Sequence, residues 1–275
     1  MKKLLTVALL FLVFILNAQT VNVITYNIRF NNPNDGVNAW PNRSAMVIGL
    51  LRFHDTGIFG LQEALIGQIN DIKEQLPQMN FVGAGRDDGN KAGEFSPIFY
   101  DTTRFGLLDK GWFWLSETPE KPGLGWDAKY NRICTWAKLQ DNNGTRFLVF
   151  NTHLDNLGRV ARTESTKLII QKIKDMNTDN LSVILMGDFN STPDSTPVQY
   201  VTKFLKDSKT ISKQPPYGPD GTFNNFDINN KLTDRIDYIF VNEKVAVLKY
   251  AVLSDSENDR YPSDHLPVFA RVIVN

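Results

Sequence analysis

Short apolar runs rich in β-branched and aromatic residues recur along the whole chain and alternate with stretches of helical periodicity. Each run is bounded by Gly, Asn, Asp or Pro, as is typical of β-strands between turns. The pattern predicts strands at residues 21–28, 58–61, 97–100, 133–139, 147–152, 183–186, 236–241, 245–253 and 266–274, and helices at 44–52, 65–75 and 160–176. Two packed sheets flanked by helices would accommodate these elements, so the sequence predicts an α/β fold.

The chain has 275 residues, no internal repeat and no linker that divides it. Its hydrophobic content of 42% is enough for an ordinary globular core. Cys134 is the only cysteine, so an internal disulfide is excluded and stability must come from packing. We expect Cys134 to be a buried strand residue.

The N-terminus has the pattern of a secretory signal peptide. Lys2 and Lys3 precede an apolar run at residues 4–16, and the small residue Ala18 follows. A membrane anchor is the alternative, but the run is shorter than the roughly 20 residues that a spanning helix needs. We therefore expect a signal peptide at residues 1–18, a catalytic domain at 19–275, and a periplasmic or secreted protein.

The charge balance argues against a protein that binds nucleic acid mainly through its phosphates. Lys+Arg and Asp+Glu both total 30, so the formal net charge is +0. Such proteins usually carry a strong basic patch. A nuclease is not excluded, because acidic metal ligands can offset a local basic groove.

The strongest local motif is Gly187-Asp188-Phe189-Asn190, directly after a predicted strand. It brings a carboxylate and an amide to the strand end on the same side, two residues apart. The Asp could orient a water molecule and the Asn could hold phosphate or metal. An Asx-type turn explains the motif equally well when it is considered alone.

Polar side chains also lie at the boundaries of other apolar runs. The segments are Tyr26-Asn27, Gly60-Leu61-Gln62-Glu63, Asn151-Thr152-His153-Leu154-Asp155, Asp234-Arg235-Ile236-Asp237-Tyr238 and Ser263-Asp264-His265-Leu266. The sequence contains three histidines, and two of them, His153 and His265, lie in these segments. Strand ends are where α/β proteins commonly build their sites.

Taken in order, these motifs resemble the endonuclease/exonuclease/phosphatase superfamily. That group includes DNase I, exonuclease III, sphingomyelinases, inositol-polyphosphate phosphatases and poly(A) deadenylases. The resemblance extends from residue 21 to residue 275, and Gly-Arg-Asp-Asp-Gly at residues 85–89 is similar to a largely uncharacterised bacterial branch. It implies a four-layer α/β/β/α sandwich with a DNase I-like fold and a site at one edge of the paired sheets.

The resemblance also implies a metal site. Glu63 would be the principal metal ligand, Asn27 would lie close to the metal and the phosphate, and Asp264 would lie at the metal edge. Mg²⁺ suits such an oxygen-rich set, and Mn²⁺ is possible.

The remaining motif residues would be catalytic. Asp188 would orient or deprotonate the attacking water, with Asn190 beside it on the phosphate. His265, oriented by Asp237, would be the second acid/base group, and His153 would donate to the phosphate. Which residue is the general base stays open.

Three further residues are candidates for binding substrate or phosphate. Arg86 lies in a Gly-rich loop and could equally be part of a polar turn. Arg132 opens an apolar strand and could hold phosphate through its guanidinium, or it could be a solvated strand end. Trp126 lies in a loop, where it could stack on a sugar or base, although core packing is the commoner role of tryptophan.

Two departures separate the chain from exonuclease III-like DNA-repair enzymes. Those enzymes usually have an acidic residue two positions after the first Asn, where this chain has Arg29, and commonly Tyr in place of His153. We therefore expect a metal-dependent phosphoesterase that uses water to hydrolyse a mono- or diester, with a small-molecule or lipid-headgroup substrate and a monomeric state. The alternatives are an extracellular DNA or RNA endonuclease and, third, a non-catalytic binding module.

Overall fold

The computed structural model describes residues 20–275, so the expected signal peptide lies outside the described residues. The strands are β1 (Thr20–Asn27), β2 (Ile58–Gln62), β3 (Met79–Val82), β4 (Ile98–Asp101), β5 (Phe105–Trp114), β6 (Ile133–Asp141), β7 (Arg146–His153), β8 (Ser182–Asp188), β9 (Lys206–Asp207), β10 (Asp237–Val241), β11 (Val245–Val252) and β12 (Val268–Val274). The helices are α1 (Ser44–Phe53), α2 (Ile66–Gln75), α3 (Arg159–Met176), α4 (Thr196–Val201) and α5 (Ser208–Ile211), with 3₁₀ turns at Pro33–Asn38 and Trp40–Asn42.

The strands form two six-stranded sheets. Their orders are β11-β12-β1-β2-β4-β3 and β5-β6-β7-β8-β10-β9. The central pairs β1–β2 and β7–β8 are parallel, whereas the other neighbours are antiparallel. Because parallel strands end at the same edge, Asn27 lies beside Gln62 in one sheet and His153 lies beside Asp188 in the other.

Three apolar layers hold the sheets and helices together. Successive side chains of a strand point to opposite faces, so in β1 Val23 packs between the two sheets and Ile24 packs on the outer face of its own sheet. That outer layer includes Leu50 of α1 and Ile69 of α2, while Ile169 of α3 packs on the outer face of the second sheet. The expected four-layer α/β/β/α sandwich is confirmed.

Two polar side chains join the sheets next to the site. Gln62 Nε2 donates to Asn151 Oδ1 at 2.7 Å, and Asn151 Nδ2 donates to the carbonyl oxygens of Leu61 and Pro97, both at 2.8 Å. A Cβ at residue 60 would lie 2.6 Å from Asn151 Cγ, so Gly60 is needed for this close approach. The contacts use both the amide nitrogen and the oxygen of Asn151 and the amide nitrogen of Gln62, and they fix the ends of β2 and β7 relative to one another.

All predicted helices and strands are present with small shifts at their ends, and Cys134 is buried as expected. The sequence did not predict β3, β5, β9, α4 or α5. Strands β3, β5 and β9 lie at sheet edges, where one side of the backbone has no partner strand. In β5, Gly106, Asp109 and Gly111 interrupt the apolar pattern, which an edge strand tolerates. No helix in residues 20–275 is long and apolar enough to cross a membrane.

Candidate active site

A cavity of about 480 Å³ opens where β1, β2, β7 and β8 end. It is lined by many of the predicted site residues, namely Glu63, Arg86, Arg132, His153, Asp188, Asn190, Asp264 and His265. Asn27 and Asp237 are fully buried and contact these residues from below. The motifs that are scattered along the sequence therefore form one site.

Four residues at the cavity have left-handed backbone conformations although they are not glycine. The φ angles are 54° at Arg29, 61° at Glu63, 46° at Asn190 and 55° at Asn225. Asn adopts this conformation readily, whereas for Glu63 it costs roughly 1–2 kcal/mol. Strain of this kind is commonly found at functional sites, where the surrounding structure maintains it.

Asn27 joins the two halves of the site. Its Nδ2 donates to Glu63 Oε1 at 3.2 Å and to Asp188 Oδ2 at 3.0 Å. Its Oδ1 accepts the Arg29 N–H at 3.0 Å. Here Asn27 positions the two carboxylates, and its predicted place next to a metal remains a prediction.

His265 and Asp237 form a buried pair that crosses from one sheet to the other. His265 Nδ1 lies 2.9 Å from Asp237 Oδ2. Thr222 Oγ1 accepts the N–H groups of Ile236 and Asp237, at 3.0 and 3.2 Å, and so fixes the start of β10. The ring is thereby oriented with Nε2 toward Asp188, whose Oδ2 is 3.8 Å away.

These buried charges shift one another's pKa values. Burial, followed by the charge of Asp237, raises the pKa of Asp188 to about 7. Burial alone would lower the pKa of His265, but the charges of Asp237 and Asp188 outweigh it and raise that pKa well above its ordinary value. At neutral pH the site thus combines a carboxylate near its titration point with a protonated imidazole, which is the pairing that acid–base catalysis requires.

Two groups of side chains in this site could hold a cation. Asp188, Asp237 and His265 bring three ligand atoms within 4.8 Å of one another, but Asp237 already occupies His265 Nδ1. Glu63 and Asp264 line the cavity itself, and burial, together with the nearby charge of Glu63, raises the pKa of Asp264. Paired carboxylates without a basic partner in hydrogen-bond contact suit a hard divalent cation. We therefore regard Glu63 and Asp264 as the better metal candidates and the trio as a proton relay.

His153 lies beside Asn190 on the other wall. Its Nε2 is 3.1 Å from Asn190 Nδ2 and 3.5 Å from Asp188 Oδ2. Burial and the charge of Arg132 lower its pKa well below the ordinary value, so the ring is neutral. Asn190 also donates its amide to Leu154 O at 3.0 Å and its backbone N–H to Asp188 Oδ1 at 2.8 Å. Its predicted contact with phosphate remains a prediction.

Arg132 is buried in the cavity wall. Its Nε donates to Asp155 Oδ2 at 3.4 Å and its Nη2 to Asn156 Oδ1 at 3.3 Å, while Nη1 has no hydrogen-bond partner among residues 20–275. Burial and the nearby Arg86 charge lower the pKa of Arg132. Two adjacent guanidinium groups favour an anion between or beside them, in agreement with the predicted binding of phosphate.

Arg86 is paired with a carboxylate in the same wall. Its Nη1 donates to Glu94 Oε2 at 2.6 Å, and its guanidinium lies 5.3 Å from the ring centre of Tyr130. Burial raises the pKa of Glu94, and Arg86 counteracts that rise. Trp126 does not line this cavity. Its backbone N–H donates to the Glu117 carboxylate at 3.1 Å.

Three positioning residues escaped sequence analysis. No positioning role was predicted for Thr222, and Asp155 was noted only as part of its motif. Asp155 also accepts the N–H groups of Lys129, Tyr130, Leu157 and Gly158. Arg43 is buried and donates to the carbonyl oxygens of Ile28, Arg29, Asn38 and Pro262, which connects the segments after Asn27 and before Asp264. In the sequence, a basic residue just before a helix does not indicate that its side chain will connect two distant segments.

Comparison with known proteins gives consistent matches. The model of the endonuclease/exonuclease/phosphatase family matches residues 24–265. A structure of a protein of this family from Bacteroides thetaiotaomicron is 40% identical, with a TM-score of 0.88, and the match covers 94% of this chain and 98% of that one. A mannosyl-6-phosphatase from the same organism is 41% identical, also with a TM-score of 0.88, over 92% and 99% of the two chains.

A curated relative is more distant. The CCR4-Not complex 3'-5'-exoribonuclease subunit Ccr4 of Aspergillus niger is 22% identical, and the match covers 86% of this chain. The match spans only 48% of the length of that relative. Because the family model covers most of the chain and the bacterial structures match over nearly their whole length, the chain belongs to the endonuclease/exonuclease/phosphatase family and is a hydrolase of phosphate esters.

Proposed function

We propose that this protein is an exported, divalent-metal-dependent phosphatase that hydrolyses the phosphate monoester of a small hydroxylated molecule. The observation that carries the proposal is the convergence on one cavity of the paired carboxylates Glu63 and Asp264 with the acid–base group Asp188 and His265. Water attack on a phosphate ester needs charge compensation and proton transfer, and this cavity has residues suited to both.

Glu63 and Asp264 would hold the metal, with Asn27 maintaining the orientation of Glu63. When bound, Mg²⁺ or Mn²⁺ would polarise the phosphoryl group and offset its negative charge. The carboxylate oxygens of the two acidic residues suit either ion.

The proton transfers would use Asp188 and His265. Asp188, held by the Asn27 amide and the Asn190 N–H, orients a water molecule and accepts its proton as the water attacks phosphorus. The bond between phosphorus and the ester oxygen breaks, and His265, protonated and braced by Asp237, donates a proton from Nε2 to that oxygen, which releases the alcohol. Arg132 and His153 supply the remaining positive or polar surface for the phosphate.

The proposal of a sugar-like monoester rests on two points. The mannosyl-6-phosphatase that is 41% identical acts, by its name, on a phosphate carried by a sugar. The neutral formal charge also offers no general attraction for a polynucleotide. Resemblance to Ccr4 makes RNA the second substrate class to test, although it rests on 22% identity.

Export is supported by the sequence pattern of residues 1–18 alone. Mass spectrometry of protein recovered from cell fractions tests it. We expect a chain that begins at Gln19 outside the cytoplasm; an intact N-terminus in the cytoplasm would contradict export.

The activity is tested with the chain from residue 19 on mannose 6-phosphate, p-nitrophenyl phosphate, bis-p-nitrophenyl phosphate, RNA and plasmid DNA. Each is measured after EDTA treatment and after Mg²⁺ or Mn²⁺ is added back. We expect metal-dependent release of phosphate from the monoesters, which is lost in His265→Asn. The matched control is His54→Asn, which removes a histidine at the end of α1, outside the site. Turnover of nucleic acid alone would instead establish a nuclease.

A further inference from the structure

We propose that Glu94, held by Arg86 in a cavity that Tyr130 also lines, binds the hydroxyl groups of the leaving alcohol and so selects phosphate esters of sugars or similar polyols. This inference rests on the proposed phosphatase activity. It assigns the alcohol side of the substrate to a place in the cavity.

A carboxylate in the wall of a phosphate-binding cavity requires an explanation, because it repels the substrate's phosphate. Glu94 lines the cavity beside His153, with Oε2 at 3.9 Å from His153 Nδ1. Oε2 pairs with Arg86, but Oε1 accepts no hydrogen bond from residues 20–275. The wall therefore presents an acceptor to the ligand beside a group expected to bind phosphate.

The acceptor is held in place before any ligand binds. Arg86 N donates to Glu94 O at 3.0 Å, and Phe95 N donates to Ala64 O at 2.8 Å, which attaches the loop directly after Glu63. Trp114 Nε1 donates to Arg86 O at 2.7 Å from the neighbouring sheet. A preorganised group loses little entropy on binding, which suits a determinant of specificity.

The chemistry of these groups matches a polyol. A carboxylate only accepts hydrogen bonds, so it pairs with the O–H groups of a sugar and cannot pair with a further phosphate. Tyr130 is 44% exposed, and its ring is a mainly apolar group on which the C–H face of a sugar ring can pack. The same negative charge disfavours a polynucleotide, whose adjacent phosphates would face Glu94.

The test compares two substrates that differ only in the alcohol. Mannose 6-phosphate carries ring hydroxyls, whereas cyclohexylmethyl phosphate has a ring of similar size without them. Glu94→Gln keeps the shape of the side chain but removes its charge. We expect this variant to lower kcat/KM for mannose 6-phosphate by about 10- to 100-fold, as for a lost hydrogen bond to a charged group, and to change cyclohexylmethyl phosphate by less than about 3-fold.

Glu164→Gln is the matched control. Glu164 lines a neighbouring groove of about 730 Å³ and pairs with Lys167 at 2.7 Å, so it should leave both substrates unchanged. A second variant, Tyr130→Ala, removes an exposed ring and should raise KM for the sugar phosphate with little change in kcat.

Each outcome decides the question. If Glu94→Gln affects both substrates equally, or neither, Glu94 does not bind the alcohol and the inference is wrong. If Glu164→Gln alone reduces discrimination, the alcohol lies in the neighbouring groove and the inference is also wrong. If the unmodified protein hydrolyses neither substrate but cleaves RNA or DNA, the proposed function itself has failed, which is a separate result.

Discussion

Replacing Asp237 with Asn tests the role assigned to the buried His265–Asp237 pair. The substitution keeps the volume of a side chain that is 0% exposed and removes only its charge. The lost charge lies 2.9 Å from His265 Nδ1, so we expect the pKa of His265 to fall. A larger share of the imidazole would then be deprotonated at a given pH and unable to donate from Nε2.

The size of the effect follows from the loss of one acid–base group. General acid–base catalysis contributes about 10²- to 10⁴-fold, so kcat should fall by that factor, equivalent to about 3–5 kcal/mol in the activation barrier. The assay is kcat for mannose 6-phosphate, measured as released phosphate at saturating Mg²⁺ from pH 5 to 9. The alkaline limb of the profile should move to lower pH in Asp237→Asn, because the proton leaves His265 earlier.

The pH dependence of the free energy of unfolding gives a second test, and its direction can be predicted. Folding raises the pKa of His265. The stabilisation that protonated His265 provides is therefore complete below the unfolded pKa of 6.5 and is lost as pH rises through the pKa of His265 in the folded protein. The difference in free energy of unfolding between the unmodified protein and Asp237→Asn should therefore shrink as pH rises above 6.5.

Asp207→Asn is the control, since Asp207 is another buried aspartate and is paired with Arg235 away from the cavity. It should reduce stability without moving the pH profile. A loss of less than about 10-fold in kcat for Asp237→Asn, with an unchanged alkaline limb, would refute the assigned role.

Three further predictions concern other parts of the chain. Glu63→Gln should raise the Mg²⁺ concentration for half-maximal activity by at least about 10-fold, measured by metal titration after EDTA treatment, and equal titration curves would exclude Glu63 as a ligand. Because burial raises the pKa of the Cys134 thiol, a disulfide reagent at pH 8 should react only as the protein unfolds; a fast reaction in the native state would contradict this. Gly187→Ala should lower the free energy of unfolding in urea by about 2–4 kcal/mol, because φ is 149° and a Cβ would lie 2.1 Å from Thr152 O. In contrast, Gly49→Ala in α1 has open space and should stabilise by about 0.5–1 kcal/mol.

The sequence predicted well which side chains lie together at the cavity, for a physical reason. Asn27, His153 and Asp188 each end a central strand, and Glu63 directly follows one. Central strands are apolar runs whose ends are easy to locate. Parallel neighbours end at one edge, so proximity follows once the strands are paired. The fold could be predicted for the same reason, except for the strands at the edges of the two sheets.

The supporting contacts could not be predicted in the same way. Arg43 is held by carbonyl groups, which every residue carries, so nothing in its neighbours' side chains marks the contact. Thr222 contacts the start of β10 through the backbone N–H of Asp237, and the pairing of Arg86 with Glu94 depends on how one loop closes. Such contacts depend on the conformation of loops. The hydrophobic periodicity that predicts helices and strands gives no information about loop conformation.

The position of β12 affects when the enzyme can become active during its synthesis. This strand lies between β11 and β1, and Thr20 at the start of β1 pairs with Ile273. A ribosome that makes the chain from its N-terminus must therefore complete residues 264–274 before β1 gains this partner and before Asp264 and His265 can join the residues already made. Contacts between such distant segments also form slowly. With the roles proposed above for Asp264 and His265, a nascent or truncated chain that holds only Glu63 and Asp188 would hydrolyse nothing, so activity would begin only after residues 264–274 have been made.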